Sequence, residues 1–128
     1  NEEITNAYDN ATLYTDFFLS QTIGFLKAYS DRFETAMMYT SDHGESLGES
    51  GVYLHGLPNF IAPESQTHVP AFLWLGKSYH GVDISNLKQK VSQPLSHDNL
   101  FHTLLGLFEV ESKVHNPSLD ILKHSDDD

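Results

Sequence analysis

The sequence predicts an α/β fold with a parallel or mixed sheet, of which this chain carries only part. Three observations predict it. A long stretch of helical periodicity comes first, two short unbroken apolar runs follow, and a second amphipathic helix comes last. Helices alternating with fully apolar strands are the pattern of a sheet covered on its faces. Two or three strands cannot make such a sheet, so the chain reads as the C-terminal part of something larger.

The first element is a helix over about residues 6–30. Ala7, Ala11, Tyr14, Phe18, Phe25 and Tyr29 recur mostly three or four apart, and Leu19, Ile23 and Leu26 widen the apolar face. That is the period of an amphipathic helix. At ~1.5 Å per residue it nears about 40 Å, a length suited to the flank of a sheet in a larger domain. The second element is Ala36-Met37-Met38-Tyr39-Thr40, an unbroken run expected of a strand buried on both faces. The third, Val69 to Leu75, is the same kind of run. Pro70 has no N–H for a ladder, so it belongs near the strand's start or at an unpaired position. The fourth opens at Ser96, a suitable N-cap, and continues through Leu100, Phe101, Leu104, Leu105 and Phe108 as a helix. Residues 1–125 read as one partial domain, and Asp126-Asp127-Asp128 as a disordered acidic tail.

Composition excludes several partners. Among 128 residues, 18 acids face 7 bases, a formal net charge of −11. A phosphate backbone needs a basic surface, so nucleic acid is not expected, and neither is electrostatic docking of this segment on an anionic membrane. The longest apolar stretch is far shorter than the ~20 residues a bilayer requires. The acidic start Asn1-Glu2-Glu3 is unlike a signal peptide. There is no cysteine, hence no disulfide and no thiolate metal site. Eight histidines, by contrast, direct attention to metal chemistry.

That chemistry concentrates between Ser41 and Gly56, directly after the first apolar strand. Ligands of open α/β sheets bind just past the carboxyl ends of strands. Asp42 and His43 occupy that place. Strand neighbours point to opposite faces, so the two can share one metal only if the backbone turns out of the strand, a freedom Gly44 and Gly48 supply. Carboxylate and imidazole are zinc ligands. His55, twelve residues on, can fold back to the same site. Glu45 and Glu49 are expected to be solvated or bonded to the loop backbone, His80, His115 and His124 to be exposed, and His97 and His102 to pack or meet solvent. His68 opens the third element beside the loop and is a further candidate for the site. Catalytic zinc usually takes three protein ligands and an open position, so this loop alone does not complete one.

The segment Ser41-Asp42-His43-Gly44-Glu45-Ser46-Leu47-Gly48-Glu49, followed by Gly51-Val52-Tyr53-Leu54-His55-Gly56, closely resembles the metal-site segment of bacterial lipid A phosphoethanolamine transferases, the polymyxin-resistance enzymes of the alkaline phosphatase and sulfatase superfamily. The likeness continues through Asn6-Ala7-Tyr8-Asp9-Asn10, Leu13-Tyr14-Thr15-Asp16, Ala62-Pro63, Gln66-Thr67-His68-Val69-Pro70, Leu73-Trp74, Ser96 to Gly106 and Pro117-Ser118-Leu119-Asp120-Ile121. It implies the C-terminal portion of an α/β/α sandwich of the alkaline-phosphatase/sulfatase type. It implies that Asp42 and His43 bind the main zinc and that His55 contacts the phosphoryl group or a second zinc, with His68 a weaker candidate for substrate contact. The implied reaction is ping-pong: a zinc-activated threonine takes phosphoethanolamine from phosphatidylethanolamine and passes it to a lipid A phosphate. No block here matches that threonine, a glutamate ligand, another histidine or the membrane-spanning N-terminal helices of such enzymes. The implied location is the bacterial inner membrane, with this segment facing the periplasm. Alone, the chain is expected to be inactive and to self-associate through exposed sheet edges.

Rival readings remain. Gly44-Glu45-Ser46-Leu47-Gly48 matches G-x-S-x-G, which would make Ser46 the nucleophile of a serine hydrolase. That elbow needs a helix after it, and Ser50 and Gly51 start one poorly. A fragment that binds metal without turnover is a second alternative. A sulfatase or another phosphodiesterase would share the Asp-His pair without the other blocks.

Overall fold

The computed structural model describes residues 2–122. His124 and the acidic tail 126–128 lie outside the described residues. The chain divides into two compact units, residues 1–79 and 80–128.

In the first unit α1 spans Glu2–Tyr29, longer at its start than the apolar periodicity alone predicts. Glu2 and Glu3 in its first turn and Lys27 in its last complement the helix dipole. No side chain of α1 is buried within the chain. The helix ends in a polar latch: Ser30 Oγ lies 2.9 Å from Thr35 Oγ1, the Ser78 hydroxyl donates to Ser30 O, and Gly76 N donates to Thr35 O at 2.7 Å. A Cβ on Gly76 would stand 2.2 Å from Thr35 Oγ1, so only glycine lets the two segments meet.

The strands β1 (Ala36–Thr40) and β4 (Ala71–Leu75) pair antiparallel, Ala36 opposite Leu75 and Thr40 opposite Ala71. An antiparallel pair is what the mixed form of the expected sheet contains. The Tyr39 and Phe72 rings meet across the ladder with centroids 5.4 Å apart. Pro70 precedes β4, where its missing N–H costs no ladder bond. Every residue of β1 is half-buried rather than enclosed on both faces. The side chains buried among the described residues are polar, and none is apolar. Between β1 and β4 lie a two-residue pair, β2 (Ser46–Leu47) with β3 (Tyr53–Leu54), and the single turn α2 (Glu64–Thr67).

In the second unit α3 (Ile84–Lys90) is capped by Asp83, whose carboxylate accepts from Ser85 N and Asn86 N. Its two apolar residues, Ile84 and Leu87, give too weak a period for the sequence to announce it. The helix α4 spans Asp98–Leu107. Ser96 acts as the cap foreseen: its hydroxyl accepts from Asp98 N at 3.2 Å, and Asn99 Oδ1 accepts from Ser96 N at 2.9 Å. The C-terminal segment is stapled onto α4. Fully buried Thr103 accepts from Ile121 N, Asn99 Nδ2 donates to Leu119 O, and His102 Nδ1 accepts from Asn116 N. The carboxylate of Asp120, with no exposed side-chain surface, accepts from His115 Nε2 at 3.1 Å and from Leu122 N at 2.9 Å. His115, expected to be exposed, is thereby covered down to 13% side-chain exposure, because a buried carboxylate needs a partner. Gly106 makes the contact: a Cβ there would lie 2.1 Å from Asp120 Oδ2.

Candidate metal centre

The loop after β1 is shaped by backbone bonding before any ligand is considered. Ser41 N donates to Pro70 O at 3.2 Å, extending the ladder by one residue. The chain then turns: Ser41 Oγ donates to His43 O at 2.8 Å, and Asp42 Oδ1 accepts from His43 N at 3.1 Å. Gly44 N donates to Gln66 O at 2.9 Å. A Cβ on Gly44 would come within 2.0 Å of Ser65 O, so glycine is required here by close approach to α2.

His55 returns to this place through a bend in left-handed backbone. Leu54 has φ 64 and Gly56 φ 101. A leucine held there costs roughly 1–3 kcal/mol. The bend brings His55 Nδ1 to 2.9 Å from Glu45 Oε2. A hydrogen bond to a charged group contributes about 1.5–3 kcal/mol, toward the low end for a half-exposed ring. Strain and bond are of similar size, so the bend and the His55–Glu45 pair support one another.

The imidazoles of His43 and His55 stack, with centroids 3.6 Å apart and planes at 26°. His43 Nδ1 lies 2.9 Å from Gly44 O. A carbonyl only accepts, so this nitrogen carries the proton and Nε2 is left with its lone pair in the neutral ring. By the same logic His55 donates from Nδ1 to the Glu45 carboxylate and keeps Nε2 free, the arrangement common to metal-bound histidines. Asp42 Oδ2 lies 3.8 Å from His43 Nε2, and its side chain is 89% exposed. His43, Glu45 and His55 each offer a ligand atom within 4.8 Å of the others. Among the described residues this is the one such group.

These residues fit a cation. Bonds of about 2.0–2.2 Å in a tetrahedral shell hold ligand atoms ~3.3–3.6 Å apart, and the Asp42–His43 separation is within a few tenths of an ångström of that. Glu45 Oε1 is buried with no hydrogen-bond partner. An unpaired carboxylate oxygen is costly to bury, and a metal ion is one of the few things that satisfies it. Two imidazoles with carboxylates are donors suited to zinc.

The structure thus brings His43 and His55 together and adds Glu45, expected from the sequence to be solvated or bonded to the loop backbone, while Asp42 stands exposed beside His43 and outside this group. The signal that could have found it is the spacing His-x-Glu after a strand end. Glu49 does bond the backbone, accepting from Leu47 N at 2.7 Å. His68 stays outside the cluster, exposed and 3.3 Å from Glu64 Oε1.

Ser46 is 2% exposed, and its hydroxyl accepts from Gln66 Nε2 at 2.9 Å and lies 3.1 Å from Ser65 Oγ. It begins a short strand followed by a three-residue 3-10 turn, Glu49–Gly51, and not by an α-helix, so it has neither the setting nor the exposure of an elbow nucleophile. Gln66 itself is 5% exposed, and its Oε1 has no partner. Its bond to Ser46 returns about 0.5–1.5 kcal/mol, while the orphaned acceptor costs about 1–3 kcal/mol. For stability alone an apolar residue of the same shape would serve as well or better.

A strand-end cluster of carboxylate and imidazole on an α/β frame is a candidate metal centre. The Sulfatase family profile matches residues 1–110, and the chain belongs to that family. Its relatives include phosphoethanolamine transferase EptA of Escherichia coli strain K12, 50% identical in an alignment 126 positions long that covers 95% of this chain and 23% of that protein. Among solved structures, the integral membrane protein lipooligosaccharide phosphoethanolamine transferase A from Neisseria meningitidis superimposes with TM-score 0.86 and 44% identity, over 92% of this chain and 23% of that one. The C-terminal periplasmic domain of phosphoethanolamine transferase EptC from Campylobacter jejuni does so with TM-score 0.81 and 47% identity, over 91% of this chain and 36% of that one. The chain therefore spans about a quarter of the curated relatives it matches. Among the described residues no helix is long and apolar enough to cross a membrane.

Proposed function

We propose that residues 1–125 are the C-terminal part of the periplasmic catalytic domain of a zinc-dependent phosphoethanolamine transferase of the bacterial inner membrane. The donor is phosphatidylethanolamine and the acceptor lipid A. One observation carries the reading. A strand-end cluster of His43, Glu45 and His55, with an orphaned Glu45 oxygen, lies in a chain similar over most of its length to such transferases.

In this reading Asp42 and His43 hold the zinc, with Glu45 beside them. Zinc, when bound, activates a hydroxyl nucleophile and neutralises charge developing on phosphorus. His55, its Nδ1 donating to Glu45, offers Nε2 to a zinc ion or, when that nitrogen carries a proton, to the phosphoryl oxygens. An imidazole fixed in this way needs no reorganisation when charge develops, which is where electrostatic catalysis gains most. The nucleophilic threonine belongs to sequence beyond this chain. His68 is an exposed imidazole on which the reading does not depend.

The test is lipid A modification, read by mass spectrometry, in bacteria expressing an intact protein that contains this chain. Addition of phosphoethanolamine, lost in the double variant Asp42→Ala/His43→Ala together with stoichiometric zinc, is expected. Modification and zinc content unaffected by that double change would overturn the proposal.

A further inference from the structure

We infer that Gln66 is a positioning residue for the metal centre: it grips the loop on both sides of Glu45 and so sets where the Glu45 carboxylate stands. The inference rests on the metal reading above and deepens it.

Three observations carry it. The main-chain carbonyl of Gln66 accepts from Gly44 N at 2.9 Å, and its side-chain amide donates to Ser46 Oγ, also at 2.9 Å. One residue therefore holds the neighbours immediately before and after Glu45. The approach is close enough that no side chain fits at position 44, where a Cβ would meet Ser65 O at 2.0 Å. Gln66 is also nearly enclosed and leaves its own Oε1 without a partner. A buried amide that makes one bond and strands an acceptor is a poor choice for stability, as the comparison above shows. It is a good choice if its donor has to fix one atom. A two-point clamp removes the freedom of the Gly44–Ser46 segment to swing, and a preorganised carboxylate binds a cation without the ordering loss a mobile one incurs.

The clamp acts through Glu45 and touches neither metal nor substrate. A role confined to stability and a role in positioning therefore predict different things for an apolar isostere. Gln66→Met removes the donor together with the orphaned acceptor at nearly constant volume. A stability role predicts an unchanged or raised melting temperature and unchanged metal binding. A positioning role predicts the same fold with weaker binding.

The experiment titrates an intact, metal-stripped protein containing this chain with Co²⁺, a spectroscopic substitute for zinc, following its visible absorption band, with circular dichroism recorded alongside. The expected result is about tenfold weaker Co²⁺ binding in Gln66→Met and in Ser46→Ala, with an altered band. The double variant should be no worse than either single one, because both remove the same bond. Binding and spectrum in Gln66→Met equal to the parent, at parental circular dichroism, would overturn the inference while leaving the metal reading intact. A parent protein that develops no Co²⁺ band, or a Glu45→Gln variant that binds as the parent does, overturns the metal reading and this inference with it. Should Gln66→Met lose its circular dichroism, Ser46→Ala decides alone, by the same criterion.

Discussion

Replacing Glu45 by glutamine and, separately, by aspartate separates the two things its carboxylate supplies. Glutamine keeps the length and hydrogen-bonding shape but removes the charge. Aspartate keeps the charge but withdraws it by about one C–C bond, ~1.5 Å. In the structure Glu45 Oε2 is 2.9 Å from His55 Nδ1, and Oε1 is buried without a partner. Withdrawal by that amount opens the Oε2–Nδ1 gap to about 4 Å, past any hydrogen bond. Both changes therefore disturb His55, by different routes. Losing a partner that orients a metal-bound histidine typically weakens metal affinity about 10–100-fold, or ~1.4–2.7 kcal/mol. If Oε1 also ligates the ion, glutamine removes a charged ligand as well and should fall at or beyond the upper end, with aspartate less severe. The assay is zinc affinity by competition with a chromophoric chelator, with circular dichroism to confirm that the loop change has not unfolded the chain. Zinc affinity unchanged in both variants would refute the assignment of Glu45 to the centre. Equal losses in both would assign it only to orienting His55.

In an intact transferase containing this chain, His55→Ala should lower lipid A modification by ~10²–10³, since it removes a preorganised contact to charge on the phosphoryl oxygens. Ser46→Ala should cost about tenfold at most, one hydrogen bond's worth, and a dead Ser46→Ala beside an active His55→Ala would reverse the reading of this loop. The isolated chain should not transfer phosphoethanolamine from labelled phosphatidylethanolamine above a heat-killed control. In the second unit, Asp120→Ala strands the donors of His115 and Leu122 N, and a buried donor left unsatisfied costs about 1–3 kcal/mol. Faster amide exchange confined to residues 98–122 is expected, and unchanged protection there would show that the staple contributes nothing. Large apolar side chains such as Leu13, Phe17 and Phe18 stand exposed on α1, so concentrated chain should self-associate, and a strictly monomeric sedimentation profile would contradict this.

What the sequence determined by itself was whatever depends on local period and local chemistry. Three- and four-residue apolar spacing specified α1 and α4, and unbroken apolar runs placed β1 and β4 to within about two residues. Ser96 marked the start of α4 because a hydroxyl there can take an orphaned N–H, a bond made within three residues. The strand-end position of Asp42 and His43, together with the family blocks, pointed to metal chemistry before any coordinate did. Tertiary structure alone decided matters that depend on residues far apart in the chain. The antiparallel sense of β1 and β4 follows from the path of thirty intervening residues, on which apolar runs are silent. Glu45 looked like any loop acid until the left-handed bend at Leu54 delivered His55 to it from ten residues away. His115 read as a surface residue until the C-terminal segment folded onto α4 and set it against Asp120. Gln66 lay inside a recognised block with no role, because its grip on Gly44 and Ser46 exists only when α2 packs on the loop. Periodicity is written in neighbouring residues, whereas the partner of a buried polar group is chosen by the fold, and at this site it is those partners that place the candidate ligands.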